Sequence, residues 1–464
     1  MTRVDRRVFV RGLGAAGTLL GTGAGRSALA ASPAPPNILY IMADDLGYAD
    51  LSCTGSQHIR TPAIDSIAAD GLQLRQGYSN SSICSPTRTA LLTGCYQQRF
   101  AIGLEEPLAG TSSPLLGVPL DRPTIASVFR SRGYRTKLVG KWHLGDPPLH
   151  GPLAHGYDEF LGIVEGAADY FRHRRVVGGR EQGIGLAENN SATTRNGYLT
   201  DIFGDEAVKT IEAVNSAPFF ISLHFTAPHW PWEGREDAAI AGNISQSQHH
   251  DGGNLAKYRS MVEAMDENVA RVLAALARAG KADNTIVVFT SDNGGERFSE
   301  TWPFTGVKGE LLEGGIRVPI LMRWPGHIRA GTRSDQVMVS MDFLPTLLAA
   351  AGVAPDPAFP SDGENLLPVL TGAATPHPRR LFWRHKSGDQ AAVRDGDWKY
   401  LRLGGKEHLF DLSADARERA DRSSDEPQRF ATLRDAYMVW NAGMLPYNPT
   451  NFTYDVTQVD ADRY

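Results

Sequence analysis

The sequence predicts an α/β fold with a large, mostly parallel mixed sheet flanked by helices, plus a small C-terminal antiparallel-sheet subdomain with a final helix. Short apolar runs recur along the chain with helical patterns between them, which is typical of layered α/β proteins. From about residue 373 the pattern changes to short strands separated by turn residues, which favours an antiparallel sheet. The 464 residues are 42% hydrophobic and 21% charged, enough for a large core.

Four predicted strands end in polar residues beside glycine or proline. They are NILYIMADD, RTKLVGKWH, PFFISLHFTAPH and NTIVVFTSDNGG, and VPILMRWPG is a fifth candidate strand. Each contains a β-branched or aromatic apolar run, which is typical of a buried strand. Because ligands bind outside the carboxyl ends of the strands in such sheets, these polar ends predict a functional site.

Helical segments complete the predicted fold. The segment KYRSMVEAMDENVARVLAALARAG places its apolar residues on one face and ends at Gly280, as an amphipathic helix does. In the C-terminal region, LFWRH, AAVRDG, WKYLRL and HLFDL predict the strands, and PQRFATLRDAYMVWNAG predicts the final helix.

The N-terminal residues 1–31 are typical of a twin-arginine-type signal peptide. Arg6 and Arg7 precede a glycine-rich apolar stretch, and Ala28 and Ala30 form a small-x-small cleavage site. The stretch is shorter than the ~20 residues that span a bilayer, so a membrane anchor is disfavoured, and a basic tail is the other alternative. We expect an exported, periplasmic or extracellular protein without a membrane span in its mature chain. The net charge of −5 argues against nucleic acid as a partner.

Cys84 precedes a predicted helix that runs to Gly94. Ser85 is expected to cap this helix, and Pro86 suits its first position. Cys84 would then lie at a helix N-terminus, where an anion is favoured and where Arg88 can add a charged contact. A buried packing cysteine is the alternative. With three cysteines in the chain, the two others, Cys53 and Cys95, could pair, and the sequence leaves this open.

Two pairs of oxygen ligands follow predicted strands. Asp44 and Asp45 end one strand, and Asp292 and Asn293 end another. Three carboxylates and one amide form a hard ligand set that suits Ca²⁺ or Mg²⁺. Each pair alone could be an ordinary turn, but two pairs at strand ends of one sheet favour a metal site.

Four basic residues lie after strands or in glycine-rich loops: Lys141, His143, His229 and Lys308. Each could be an acid, a base or an anion contact. Taken singly, each could equally be an exposed lysine or a histidine that is hydrogen-bonded to the backbone.

These motifs together resemble the sulfatase family within the alkaline phosphatase superfamily. The stretch CSPTRTALLTG resembles the family signature, and NILYIMADDLGYADLSCTG, GYRTKLVGKWHLG, APHWPW, TSDNGG and TGVKGELLEGGIRVPILMRWPG stand around it in the family's order. The resemblance runs from about Asn37 to the final helix. It implies a catalytic domain over residues 32–372 and a C-terminal α+β subdomain over residues 373–464.

The resemblance also implies how the site works. Cys84 would be converted by a formylglycine-generating enzyme to formylglycine (3-oxoalanine), whose hydrate attacks sulfur with one hydroxyl and expels sulfate by means of the other. One divalent cation, most often Ca²⁺ with Mg²⁺ as the alternative, would be held by a set of five residues: Asp44, Asp45, the modified Cys84, Asp292 and Asn293. Asp292 is also a candidate acceptor of the attacking proton.

The resemblance gives the remaining site residues roles by position. Arg88 and Lys141 would hold the hydrated side chain and the developing charge. His143 would be the base of the elimination step, and His229, beside Lys308, would be the general acid at the leaving oxygen.

The predicted function is therefore hydrolysis of a sulfate ester in a sulfated small molecule or saccharide. Two alternatives remain: a phosphonate or phosphodiester hydrolase of the same superfamily, and an inactive homologue that binds anions or glycans. Trp230, Trp232, Tyr170 and Phe171 could stack on a substrate ring or simply pack in the core.

Overall fold

A ten-stranded mixed sheet forms the centre of the described fold, in the strand order β12-β2-β11-β10-β1-β9-β3-β4-β7-β8. The computed structural model describes residues 34–109, 112–214, 216–245 and 253–455, so the predicted signal peptide at residues 1–31 lies outside the described residues. The sheet strands are β1 Asn37–Ala43, β2 Leu72–Tyr78, β3 Arg135–Gly140, β4 Glu159–Ile163, β7 Leu186–Glu188, β8 Ser191–Ala192, β9 Phe219–His224, β10 Thr285–Ser291, β11 Ile320–Arg323 and β12 Thr332–Val339. A separate two-stranded ribbon comprises β5 Arg175–Val177 and β6 Arg180–Gln182.

The centre of the sheet is parallel and its flanks are mixed. Strand β1 pairs in parallel with β10 on one side and with β9 on the other. Strand β9 continues in parallel to β3, and β3 to β4. Antiparallel pairs follow at β10–β11 and at β4–β7. The predicted mostly parallel mixed sheet is confirmed, and its parallel centre brings four carboxyl ends to one edge.

Helices cover both faces of this sheet. They are α1 Pro62–Ala69, α2 Cys84–Thr93, α3 Ile125–Ser131, α4 Leu199–Ala213, α5 Leu255–Arg278, α6 Glu313–Ile316, α7 Phe343–Ala350, α8 Leu367–Leu370 and α9 Pro427–Ala442. Alternate residues of β1 separate the two layers: Leu39 and Ile41 join the core with α1, α4 and α5, whereas Ile38 and Tyr40 join the core with α2, α3 and α7. This alternation is the period of two that a strand covered on both faces requires.

The C-terminal region forms the predicted small antiparallel sheet. Its strands are β13 Arg380–His385, β14 Gln390–Asp395, β15 Trp398–Leu403 and β16 Lys406–Asp411, paired in chain order. Helix α9 packs on it through Leu433 and Tyr437, which share a core with Tyr400 and Leu409. The sheet and final helix are confirmed. The domain boundary between residues 372 and 373 stays a prediction.

The start of α2 differs from the prediction. The helix begins at Cys84 itself, and the capping position is Ile83, whose side chain makes no capping hydrogen bond. Ser85 is not the cap, because it already lies inside the helix and its Oγ accepts the Leu108 N–H at 2.7 Å. Cys84 therefore occupies the first helical turn, one residue further into the helix than the sequence predicted.

The cysteines and the helix lengths answer two further questions. Cys53, Cys84 and Cys95 are all free thiols, so the pairing of Cys53 with Cys95 that the sequence left open is not formed. Across the described part of the chain, every helix is too short or too polar to cross a bilayer.

Candidate active site

The carboxyl ends of four neighbouring strands meet at one edge of the sheet. Asp44 and Asp45 follow β1, Asp292 and Asn293 follow β10, and Lys141 follows β3. Strand β9 ends at His224, and the loop after it carries His229. The four strands are adjacent in the order β10-β1-β9-β3. The predicted convergence of the polar strand ends is thus explained by the parallel register.

Asp44 and Asp45 form the centre of the site, and both side chains are buried. The Lys141 Nζ donates to Asp44 Oδ2 at 2.5 Å, and the Lys308 Nζ donates to Asp45 Oδ2 at 2.6 Å. Burial and then the neighbouring Asp292 charge raise the pKa of Asp44 to about 8. The site therefore concentrates more negative charge than its own lysines neutralise.

Asp292 and Asn293 lie against this pair from β10. Asp292 Oδ1 accepts the Asp45 N–H at 3.2 Å, and Asn293 Nδ2 donates to Asp45 Oδ1 at 2.7 Å. Arg88 reaches Asp292 Oδ2 with Nε at 3.0 Å and with Nη2 at 2.8 Å. Burial opposes ionisation of Asp292, but the Arg88 and Lys141 charges hold the pKa of this carboxyl below its usual value.

Two buried oxygens in the cluster have no hydrogen-bond partner: Asp44 Oδ1 and Asn293 Oδ1. Orphaned buried acceptors are costly, and a cation would satisfy both. One ligand atom from each of four residues also lies within 4.8 Å of the others, from Asp44, Asp45, Cys84 and His229. The donor set is rich in oxygen, so the residues present fit one hard divalent cation.

Cys84 lies in this cluster rather than in the apolar core. Its Sγ lies 3.9 Å from Asp45 Oδ1, and its side chain is buried. Burial raises the pKa of the Cys84 thiol well above its usual value, so the unmodified side chain is a neutral thiol and a poor nucleophile. Arg88, one helical turn later, bonds to the Lys141 carbonyl oxygen at 3.0 Å through Nη1.

The two candidate histidines have defined tautomers. His143 Nε2 lies 2.8 Å from the Leu108 carbonyl oxygen, so this nitrogen carries the proton, and Nδ1 is buried without a partner. His229 Nδ1 lies 2.7 Å from the Trp230 carbonyl oxygen, and its Nε2 lies 3.5 Å from Asp45 Oδ2. Burial, followed by Lys141 for His143 and by Lys308 for His229, lowers the pKa of both rings.

A cavity of about 480 Å³ opens onto this cluster. Its lining includes Cys84, His143, His229 and Lys308 on the side of the carboxylates. Trp230 contributes an aromatic wall. The volume is within the range of small-molecule sites.

The structure brings all ten predicted site residues together and separates the four predicted aromatic residues. Trp230 lines the cavity. Tyr170 and Trp232 are buried core residues, and the partly buried Phe171 packs against the same core, so ring stacking on a substrate is not their role. Their patterns in the sequence did not distinguish a cavity wall from core packing.

Sequence reasoning missed three groups at the site. The Leu108 carbonyl fixes the tautomer of His143. The Tyr454 hydroxyl donates to the buried Glu296 carboxylate, and the Lys308 ammonium lies 5.7 Å from the Tyr454 ring centre. None of the three stands beside a motif, so only their spatial position reveals them.

Comparisons with known proteins agree with this geometry. Residues 36–353 match a family described as Sulfatase, and residues 308–432 match one described as N-sulphoglucosamine sulphohydrolase, C-terminal. The chain is 32% identical to N-acetylgalactosamine-6-sulfatase of Mus musculus over 395 residues, which cover 80% of this chain and 72% of that protein. It is 33% identical to arylsulfatase A of Homo sapiens over 394 residues, which cover 79% of this chain and 74% of that protein.

A solved structure supports the same grouping at the level of the fold. The crystal structure of Ps i-CgsB in complex with k-i-k-neocarrahexaose superposes with a TM-score of 0.80 at 30% identity. The superposition covers 91% of this chain and 96% of that chain. The similarity therefore includes both the large sheet and the small C-terminal sheet.

Proposed function

The chain belongs to the sulfatase family and is a sulfuric ester hydrolase, and on this premise we propose that it desulfates a saccharide by means of a formylglycine made from Cys84 and one divalent cation. The observation that carries the proposal is the position of the Cys84 side chain. It is buried beside Asp45 and faces the cavity together with His143, His229 and Lys308. A cysteine kept only for packing would not need charged neighbours on the cavity side.

The cation would be held by Asp44, Asp45, Asp292 and Asn293 together with the modified Cys84 side chain. When bound, it would supply charge for a sulfate oxygen and for the nucleophilic hydroxyl. Six formal charges already balance in the site: Asp44, Asp45 and Asp292 against Arg88, Lys141 and Lys308. An added dication therefore leaves net positive charge to bind a sulfate ester.

Arg88 and Lys141 act as positioning groups. Arg88 is tied to Asp292 and to the Lys141 backbone, so its guanidinium is fixed at the base of the cavity. Lys141 is fully buried and is held by Asp44. Fixed cations of this kind stabilise developing negative charge without reorganisation.

His143 is suited to remove a proton in the step that releases sulfate. Its Nε2–H is held by the Leu108 carbonyl, so Nδ1 keeps its lone pair. The lowered pKa of His143 keeps the ring neutral at pH 7, which is the state that a base needs.

His229 and Lys308 are suited to the leaving oxygen. His229 turns Nε2 toward Asp45, and a bound sulfate monoester adds the negative charge that favours a proton at this nitrogen. Lys308 opposes that proton but supplies a fixed positive charge of its own. We assign general acid catalysis to His229 and charge stabilisation to Lys308.

The saccharide assignment has two supports. The similar structure of Ps i-CgsB contains k-i-k-neocarrahexaose, and a similar relative is an N-acetylgalactosamine-6-sulfatase. The cavity of about 480 Å³ is large enough for a sugar ring. The position of the sulfate on the sugar is the next question for a panel of sulfated mono- and oligosaccharides.

The test combines mass spectrometry with turnover. In protein from a host that makes formylglycine, we expect the peptide containing Cys84 to lose sulfur and gain oxygen. We expect the same protein to hydrolyse an aryl sulfate faster than the matching aryl phosphonate, and Cys84→Ala to abolish turnover while folding normally. An intact thiol with full activity would refute the formylglycine proposal, and faster phosphonate turnover would favour the phosphonate hydrolase.

We also propose export through the twin-arginine route. The support is the sequence of residues 1–31, with Arg6 and Arg7 ahead of the apolar stretch. Fractionation of cells that express the full chain should place it outside the cytoplasm, and a change of both arginines to lysine should retain it inside. Export of the lysine variant at the normal rate would contradict this route.

A further inference from the structure

We propose that the segment Tyr447–Tyr454, which follows the final helix, is a part of the active site in which Tyr454 positions the Lys308 ammonium for the reaction. The inference rests on the proposed function, because it assigns Lys308 to the leaving oxygen. It adds a residue that no motif marks. It also gives the end of the described chain a role in turnover.

Tyr454 contacts Lys308 directly and also through a carboxylate. The Lys308 Nζ lies 5.7 Å from the Tyr454 ring centre and 5.9 Å from the Trp230 ring centre. The Tyr454 hydroxyl donates to Oε1 of Glu296, a carboxylate that is 6% exposed. Two ring faces, together with the Asp45 carboxylate, define where the flexible lysine side chain can place its charge.

The segment is held against the rest of the molecule by two consecutive glutamates. Glu105 accepts from the Asn451 side chain at 2.6 Å and from the Phe452 N–H at 3.1 Å. The Glu106 backbone exchanges hydrogen bonds with the segment, from its N–H to the Phe452 carbonyl at 2.9 Å and from the Tyr454 N–H to its carbonyl at 2.5 Å. Both carboxylates are buried, so this anchoring does not depend on solvent-exposed contacts.

A lysine and a histidine of the small sheet's first strand region complete the anchoring. The Lys386 Nζ donates to the Asn451 carbonyl at 2.6 Å, and the His385 ring bonds the Tyr454 carbonyl at 3.1 Å. His385 also pairs with Glu106 at 3.1 Å. The segment is thus fixed by the same elements that surround the cavity, and Phe452 and Tyr454 line that cavity.

The anchoring loop continues directly into the catalytic centre. Two residues after Glu106, the Leu108 N–H donates to Ser85 Oγ on helix α2 at 2.7 Å. The Leu108 carbonyl accepts from His143 at 2.8 Å. The loop that binds the segment is therefore the loop that fixes His143, so the two contacts are mechanically linked.

The decisive experiment is a double-mutant cycle between Tyr454→Phe and Lys308→Ala. Tyr454→Phe removes the hydroxyl that holds Glu296 and keeps the ring, and Glu296→Gln weakens the same hydrogen bond from the other side. We expect Lys308→Ala to lower kcat/KM for a sugar sulfate by about 10²-fold and Tyr454→Phe to lower it by about tenfold. The double variant should lose no more than about threefold beyond Lys308→Ala, because Tyr454 acts through the lysine.

The leaving group provides a second readout. The loss caused by Tyr454→Phe should shrink with 4-nitrophenyl sulfate, whose leaving oxygen needs less help from Lys308. A purely structural role would lower both rates equally. Tyr400→Phe is the matched control, because Tyr400 also donates to a carboxylate, that of Glu407 at 2.5 Å, but lies in the small sheet, and it should leave both rates unchanged.

Additive losses, equal losses with both substrates, or no loss with Tyr454→Phe and Glu296→Gln would each overturn the proposal. The cycle also separates this proposal from the assigned function. If the wild-type protein prefers an aryl phosphonate, the sulfatase assignment fails and the same cycle is measured with the phosphonate. If it turns over neither ester, the cycle is read from the Kd of inorganic sulfate, where non-additive weakening supports the positioning role and additive weakening overturns it.

Discussion

Two residues of the site have backbone dihedrals that most side chains avoid. Asp45 has φ 62° and His143 has φ 59°, in the left-handed region that costs about 1–2 kcal/mol for an ordinary residue. Each is held there by a hydrogen bond from its own N–H, to Asp292 Oδ1 for Asp45 and to the Val164 carbonyl for His143. Backbone strain at the residue scale therefore coincides with the metal and base positions.

The charge of Asp44 gives a prediction for metal binding. Because the pKa of Asp44 is raised to about 8, its ionised form costs stability in the metal-free protein, so Asp44→Asn should leave that protein equally or more stable. The wild-type protein should gain about 2.7 kcal/mol of unfolding free energy at a Ca²⁺ concentration 100-fold above Kd. Asp44→Asn should lose most of that gain, as measured by thermal unfolding with Ca²⁺ and with a chelator.

Asp50→Asn is the control for this measurement. Asp50 is also buried, but it accepts four hydrogen bonds, from Gly47, Tyr258, Ser299 and Glu300. Its change should lower stability with and without Ca²⁺ and leave the Ca²⁺-induced gain intact. A normal gain in Asp44→Asn would contradict the assignment of Asp44 as a ligand.

At the scale of elements, one short helical turn supports the loop that follows β3. The turn Pro152–His155 brings His155 against Trp142, with ring centres 5.6 Å apart and planes at 28°. Trp142 also donates from Nε1 to the Gly145 and His150 carbonyls at 3.0 and 2.8 Å. Trp142 stands between Lys141 and His143, so this stack holds two site residues from behind.

The His155 stack predicts a stability loss in mild acid. Burial and then the nearby His150 lower the pKa of His155 from 6.5 to about 4. The unfolded chain therefore binds the proton first, and stability falls as the pH drops from 6.5 to 4, by up to about 1.4 kcal/mol per pH unit, and levels off below 4. His155→Gln should reduce this slope in denaturant titrations across that range.

The exposed His58 offers the control for that slope. His58→Gln should leave the pH dependence of unfolding as it is in the wild-type protein. If His155→Gln leaves the slope equally unchanged, the proton uptake belongs to another group.

At the scale of the whole molecule, the small sheet holds the loop that carries Lys308. Lys399 on β15 donates to the Leu311 carbonyl at 2.7 Å and to Glu313 at 3.0 Å, and it pairs with Glu418 at 2.7 Å. Gln390 on β14 bonds the same loop at the Gly309 carbonyl at 2.8 Å. The C-terminal sheet is thus a support for the active site as well as a separate layer.

The buried Lys399 network predicts a large loss of stability. Lys399→Met leaves the Glu313 and Glu418 carboxylates without their cation in a buried site, which should cost about 3–5 kcal/mol in chemical denaturation. Arg380→Met is the control from the same sheet, since its pair with Asp395 is exposed and should be worth less than about 1 kcal/mol. Equal losses in the two variants would show that burial of this network does not matter.

Much of this could be predicted from local patterns. The apolar runs of β1, β3, β9 and β10 were recognisable because a strand covered by helices on both faces needs continuous hydrophobic residues. The polar residues at their ends were recognisable because they follow those runs directly. The start of α2 was misplaced, because Ser85 has cap chemistry that the fold uses instead to bind Leu108.

By itself, the sequence determined which residues could do chemistry, from Cys84 and Arg88 on one helix to Asp44, Asp45, Asp292 and Asn293 at strand ends. The tertiary structure decided the contacts that no local pattern records, such as Tyr454 on Lys308 and the Leu108 carbonyl on His143. The physical reason is range. Strand and helix signals arise from neighbours within a few residues, whereas these contacts join distant parts of the chain that meet only after the sheets have packed.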